Sequence, residues 1–282
     1  MTKRVLIAGI LSTLFAVAPG VHAEIPAGAV GESVSRHITA IAPFQWDVSY
    51  DQYFDGANVV TAVDVLFAFP LQLGYSDAQK AAFVTQAEQE IEFLWNDNFV
   101  IRDVANNRSF GLRIDLVPAT ISNFDQAVEI AKRPASCGAT SADLACRDNM
   151  IRWFDDALPA TKAHEFGHML GLLDEYPGGA VAPGPNPTVT DDGVMGFGAL
   201  SDTPVFYSRY YQSYLGFMNQ FGPDDAANPG GGISFSDYQQ LLGGNPNMPS
   251  FVLVAVPEPG AWALMGAGVV VLLVARRRAT AV

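Results

Sequence analysis

His164 and His168 stand four residues apart in the segment Ala163-His164-Glu165-Phe166-Gly167-His168-Met169-Leu170-Gly171-Leu172-Leu173-Asp174. On a helix that spacing puts both imidazoles on one face, where they can reach a single ion. Glu165 follows the first histidine and can take a proton from a metal-activated water without being a ligand itself. A zinc ion lowers the pKa of such a water to about 7, so two histidines, an acid and an open coordination position make a hydrolytic centre. An open position requires a third protein ligand. Gly171 lies three residues past His168, where glycine lets a helix end in the left-handed conformation and the chain turn back. The turn would bring Asp174 towards the ion. The supply of rivals is small: His37 is the only other histidine outside the N-terminal 23 residues, and Glu175 and Glu258 are the only glutamates beyond His168. From this composition a His-Glu-x-x-His match arises by chance in roughly 1 chain in 500, and far less often with the glycine and aspartate added. An inert core helix is the bland alternative, but two histidines and an acid side by side serve an apolar core poorly.

The elements that must hold this segment read as one mixed α/β (α+β) domain. Val59 to Phe69 is rich in branched and aromatic residues and stops at Pro70, as a buried strand would. Ser76 with Gln79 forms a capping-box pattern, and Val84, Ala87, Ile91, Leu94 and Trp95 recur at helical spacing behind it. Leu112, Ile114 and Leu116 alternate with Arg113 and Asp115, a half-buried strand, and Met150 to Phe154 is a further strand candidate. The helix carrying the histidines is expected to begin near Pro159, a residue suited to a first turn. A proline- and glycine-rich loop follows from Pro177 to Asp192. Helices are expected over Tyr207–Phe221 and Phe235–Leu242, whereas Glu24 to Asp55 carries too weak a pattern to assign.

The motif resembles that of the metzincin clan of zinc metallopeptidases, His-Glu-x-x-His-x-x-Gly-x-x-His or Asp, in its less common aspartate form, as in snapalysin-like peptidases. That clan also has a tight turn below the metal built on a methionine, and Asp192-Gly193-Val194-Met195-Gly196-Phe197-Gly198 is similar, which makes Met195 the candidate. The resemblance implies a metzincin-like catalytic domain, with a mixed sheet, an active-site helix and a C-terminal helix, best supported over residues 59–221. Phe197 stands where some relatives carry a tyrosine ligand, so no further ligand is expected there. No cysteine precedes the domain, so latency through a propeptide thiol is not expected.

The two ends read as addresses. Lys3 and Arg4, an apolar run from Val5 to about Ala18, and Val21-His22-Ala23 have the order of a secretory signal, giving a signal peptide over 1–23. At the other end, Val256-Pro257-Glu258-Pro259-Gly260 precedes an apolar run, Ala261 to Ala275, and then Arg276-Arg277-Arg278. This is a short span with a positive-inside stop, shorter than the ~20 residues that cross a bilayer squarely. The combination resembles the PEP-CTERM sorting signal of Gram-negative bacteria and implies recognition by an exosortase, a C-terminal transmembrane helix that anchors only transiently in the inner membrane, and delivery to the cell surface or beyond. The chain thus divides into 1–23, a domain over 24–255, and a sorting signal over 256–282.

Between these ends the chain is acidic: 16 bases face 29 acids for a net charge of −13, and five of the bases belong to the termini. Such a body has no footprint for phosphate backbones, which argues against nucleic acid as a partner. Cys137 and Cys146, in an exported chain, read as one small disulfide loop, with a metal pair as the weaker alternative. Calcium at Asp191-Asp192 or Asp224-Asp225 is possible but unsupported; solvated turns explain these pairs as well. Asn107-Arg108-Ser109 reads as an ordinary loop. Tyr207, Tyr210, Tyr211 and Tyr214 could line a cleft, although Tyr211 and Tyr214 at helical spacing suit a core. Thr161, Ser208 and the other hydroxyls have no spare histidine to activate them.

The expected function is therefore an exported zinc metalloendopeptidase acting on protein or peptide substrates, with His164, His168 and Asp174 as ligands, one catalytic Zn²⁺, and Glu165 as proton carrier. The alternative is a non-catalytic surface or extracellular-matrix protein built on a metallopeptidase-like fold. Hydrolysis of a non-protein amide, such as a peptidoglycan cross-link, is a third possibility.

Overall fold

A computed structural model of the chain describes residues 25–27, 29–137, 146–184, 188–189, 191–219, 233, 235–244 and 247–257. The secretory signal, the C-terminal apolar run and Asp224-Asp225 lie outside the described residues. Among the described residues no helix is long and apolar enough to cross a membrane.

The strand expected at Val59–Phe69 is the centre of the molecule. As β3, Asn58–Ala68, it is buried on both faces from Val59 to Val65. Strands covered on both sides carry continuous branched runs, which is why this one was legible. β1 (Val30–Thr39) and β2 (Gln45–Phe54) form an antiparallel pair, and β2 continues antiparallel onto β3. On its other side β3 pairs in parallel with β5 (Arg108–Pro118). Beyond its contact with β2 it pairs in parallel with β6 (Gln126–Ala131), which takes β7 (Arg152–Phe154) at its edge. β4 (Phe99–Asp103) and β8 (Phe251–Ala255) complete a mixed, curled sheet in the order β1-β2-β3-β5-β4-β8.

The described sheet thus starts at Val30 and ends at Ala255, well outside the stretch from 59 to 221. The unassigned N-terminal segment is the β1–β2 hairpin. Its pattern is weak because its buried positions include polar groups that pair with one another: Ser33 Oγ donates to Asp51 (2.6 Å), and Gln52 Nε2 donates to Thr61 Oγ1 (2.9 Å).

One face of the sheet is covered by helices. α1 (Asp77–Trp95) begins with both bonds of the Ser76–Gln79 capping box and buries Ala87, Ile91 and Trp95. These meet Leu112, Ile114 and Leu116, the alternate residues of β5, in the core. α2 (Pro159–Met169) starts on proline and is buried at every position from Lys162 onwards. Two contacts bind it to α1: Trp95 Nε1 donates to Ala163 O at 3.0 Å, and the buried Lys162 pairs with Glu90. The helix expected after Tyr207 opens as a 3-10 turn, Ser208–Tyr211, and becomes α3 (Gln212–Met218). α4 (Phe235–Leu241) lies where a short helix was expected.

Candidate metal centre

The histidine helix ends as its sequence dictates. Gly171 adopts a φ of +85°, a conformation costly for residues with a β-carbon. Its N–H donates to His168 O (2.9 Å) and that of Leu172 to Gly167 O (3.0 Å), a Schellman closure that satisfies the last carbonyls. The reversed chain then pairs with residues further on: Asp174 N donates to Ala180 O (3.1 Å), while the Asp174 carboxylate accepts from Ala180 N through Oδ2. Gly179 lies so close that a β-carbon there would meet Asp174 Oδ2 at 2.4 Å. Asp174 is thereby clamped, with its other oxygen aimed back at α2.

That oxygen, Oδ1, lies 3.1 Å from His164 Nε2 and 3.4 Å from His168 Nε2. All three side chains are buried, and their ligand atoms fall within 4.8 Å of one another. The outer nitrogens decide the chemistry. His164 Nδ1 lies 2.9 Å from Val194 O and His168 Nδ1 lies 2.8 Å from Leu172 O. A carbonyl only accepts, so each Nδ1 carries the hydrogen, and each neutral imidazole turns the lone pair of Nε2 inwards. Asp174 Oδ1 has no hydrogen-bond partner of its own. Three lone-pair donors thus converge in a buried space, an arrangement that positive charge must hold together. Protonation of the imidazoles supplies it in one way and a divalent cation in another. The donor set, two nitrogens and a carboxylate oxygen backed by carbonyls, suits zinc.

The electrostatics agree. Burial alone would raise the carboxyl of Asp174, but His164 and His168 hold it well below the usual carboxylate range. Burial lowers the pKa of His168, yet Asp174 and Glu165 raise it beyond its ordinary value. Glu165, fully enclosed beside the histidines, is pushed up by burial and partly restrained by their charge.

Met195 is completely buried, and its sulfur packs on Gly167, between the two histidines in sequence. The preceding residue supplies the carbonyl that orients His164. The segment around Met195 therefore packs against α2 and orients His164 at the same time. Glu175, the other acid near the turn, is committed elsewhere: Arg209 binds it in a bidentate pair (2.6 and 2.7 Å), and Tyr210 donates to it (2.7 Å). Arg209 also holds Asp191 at 2.8 Å, and Tyr207 donates to Asp192 at 2.6 Å.

The remaining candidates separate from the centre. His37 is exposed on β1 and pairs with Asp47 at 2.7 Å. Tyr210, Tyr211 and Tyr214 are buried; Tyr211, whose hydroxyl donates to Trp95 O, and Tyr214 pack the core, while Tyr210 also lines a cavity with Arg36, Leu170 and Gly171. Phe197 is exposed in a 3-10 turn. Cys137 and Cys146 form the expected disulfide.

Two residues that sequence reading passed over belong to the site. Trp46 of β2 donates from Nε1 to His168 O at 2.9 Å and sets its ring edge-on to that imidazole. Tyr176 lies beside His164, ring centroids 6.0 Å apart, and burial together with the neighbouring charges of Asp174 and Glu165 pushes its hydroxyl pKa up. Its position two residues after Asp174 was the only signal.

Comparison with protein-family models identifies a PEP-CTERM protein-sorting motif over residues 255–278. The chain is thus an exported protein that carries the tag read by exosortase-type sorting machinery. No curated protein and no solved structure matches it.

Proposed function

We propose that this chain is an exported zinc-dependent metalloendopeptidase on a metzincin-like plan, with Met195 as the floor of its active site. The observation that carries the reading is the convergence of His164 Nε2, His168 Nε2 and Asp174 Oδ1 on one buried point, with a free carboxylate, Glu165, next to the first ligand.

His164, His168 and Asp174 would hold the ion, and three ligands leave a fourth position for water. Zinc bound there supplies an acidified water and a Lewis acid for the substrate carbonyl. The chain's own residues do the rest. Val194 O and Leu172 O keep both imidazoles in the ligating tautomer. Glu165, whose burial favours a proton, accepts one from the attacking water and returns it to the departing amine. Gly171 and Gly179 keep Asp174 in place, and Met195 closes the floor without taking part. After export the C-terminal apolar run lodges in the inner membrane of a Gram-negative cell until sorting delivers the protein to the surface.

An intact Glu165 favours an enzyme over a binding module, which could keep its ligands and lose the base. Zinc analysis of purified mature protein, with casein digestion in the presence and absence of chelator, tests the proposal. Close to one zinc per chain and chelator-sensitive cleavage are expected. Bound zinc without cleavage of proteins or peptides would establish the binding module instead.

A further inference from the structure

The sorting motif begins inside the fold. Its first matched residue, Ala255, is also the last residue of β8, and the ladder continues one step further through Val256 N donating to Asn98 O (2.9 Å). In sequence only Pro257 to Gly260 stand between this ladder and the apolar run. The apolar run starts at Ala261, four residues past Pro257. Four residues reach at most about 14 Å when fully extended. The headgroup layer on each side of a bilayer takes up roughly 5–7 Å of that reach. A tail lodged in the bilayer therefore holds Pro257, two residues past the end of β8, within roughly 7–9 Å of the lipid surface.

β8 is built to meet such a surface. Successive strand residues alternate between faces. Phe251 and Leu253 turn inwards to the core with Ile101 and Phe110. Val252, Val254 and Val256 form the opposite row and are 40%, 37% and 38% exposed. Across the register Val254 sits beside Val100 and Val252 beside Arg102 on β4, so the same face carries another valine and an exposed guanidinium. An apolar row flanked by a cation in an otherwise acidic protein has the composition of an interfacial contact with anionic lipid.

We infer that the outer face of β8, through Val252, Val254 and Val256 with Arg102 at its flank, rests on the lipid bilayer while the sorting tail is inserted. The inference rests on the reading of the tail as membrane-lodged and is independent of the metal centre. α1 and α2 pack on the other face of the sheet, so this posture turns the histidine helix away from the lipid.

The test uses the full chain reconstituted into vesicles of phosphatidylethanolamine and phosphatidylglycerol. Val254→Cys and, on the exposed surface of α1, Gln89→Cys are labelled separately with a small fluorophore. At position 254 brominated lipid should quench the label severalfold more strongly than at 89, and aqueous iodide should quench it less. Equal iodide access at the two positions overturns the inference. So does protection at 254 that depends on protein concentration and not on brominated lipid, which would identify a second copy on this edge. Failure of the chain to float with the vesicles overturns the tail reading and the inference together; flotation with an iodide-accessible position 254 overturns the inference alone.

Discussion

The sulfur of Met195 lies 2.3 Å from the place where a β-carbon on Gly167 would stand. Helix α2 has glycine between its two histidines because the floor of the centre leaves no room for anything larger.

A methyl group at that position must push α2 and Met195 apart. Gly167→Ala is therefore expected to lower stability by about 1–3 kcal/mol, the usual penalty of overpacking, despite alanine's better helix propensity. Because the shift moves both ligands, zinc affinity falls with it. Chemical denaturation with and without zinc measures both effects. Unchanged stability and affinity would remove Met195 from beneath the site.

Asp174 and Glu175 are neighbours with opposite fates. Asp174 points its orphaned oxygen at both histidines, while Glu175 is gripped by Arg209 and Tyr210. Asp174→Ala should abolish stoichiometric zinc, as should His164→Ala or His168→Ala. Glu175→Gln should keep its zinc and instead lose about 1–3 kcal/mol of stability, in the range of charge-assisted hydrogen bonds. Metal analysis and thermal melting separate the two. Zinc lost with Glu175 and kept with Asp174 would move the third ligand.

The centre also predicts two opposite pH slopes. The folded pKa of His168 is raised above its ordinary value, so its proton stabilises the metal-free protein at low pH, and that contribution is lost as pH rises through the raised pKa. The metal must displace such protons, so zinc binding strengthens over the same interval, by up to about tenfold per pH unit for each proton released. Between pH 6 and 8 the chelated protein should lose some melting temperature while the zinc-loaded protein gains. Parallel slopes would mean that the histidines do not compete between proton and metal.

What the sequence disclosed followed from how locally each feature is encoded. The closeness of His164, His168 and Asp174, the glycine turn and the capping box of α1 each depend on residues within a dozen positions, and each appears where the spacing placed it. β3 was plain because burial on both faces left a run of branched and apolar residues broken only by Thr61 and Asp64 after Asn58. The β1–β2 hairpin was hidden because Asp51 and Gln52 are buried through partners on other strands, Ser33 and Thr61, which no local pattern reveals. β8 was hidden because two of its five residues are exposed valines that look like a strand core or the start of an apolar tail. Trp46 reaches His168 from a distance of 122 residues along the chain, beyond any motif.

Glu165 decides between enzyme and binding module. It is buried beside His164 and His168, and Glu165→Gln preserves its shape while removing the proposed proton acceptor. Because His164, His168 and Asp174 are untouched, zinc content is expected to stay near that of the wild type. General acid–base catalysis contributes typically 10²- to 10⁴-fold, so cleavage should fall by at least about two orders of magnitude. Measured kcat/KM on a peptide substrate, alongside metal content, gives both numbers from one preparation. If the variant loses its zinc, Glu165 is a ligand and the order of roles is different. If it cleaves as fast as the wild type while holding zinc, the His-Glu-x-x-His segment is a metal site but not the place where the peptide bond is broken.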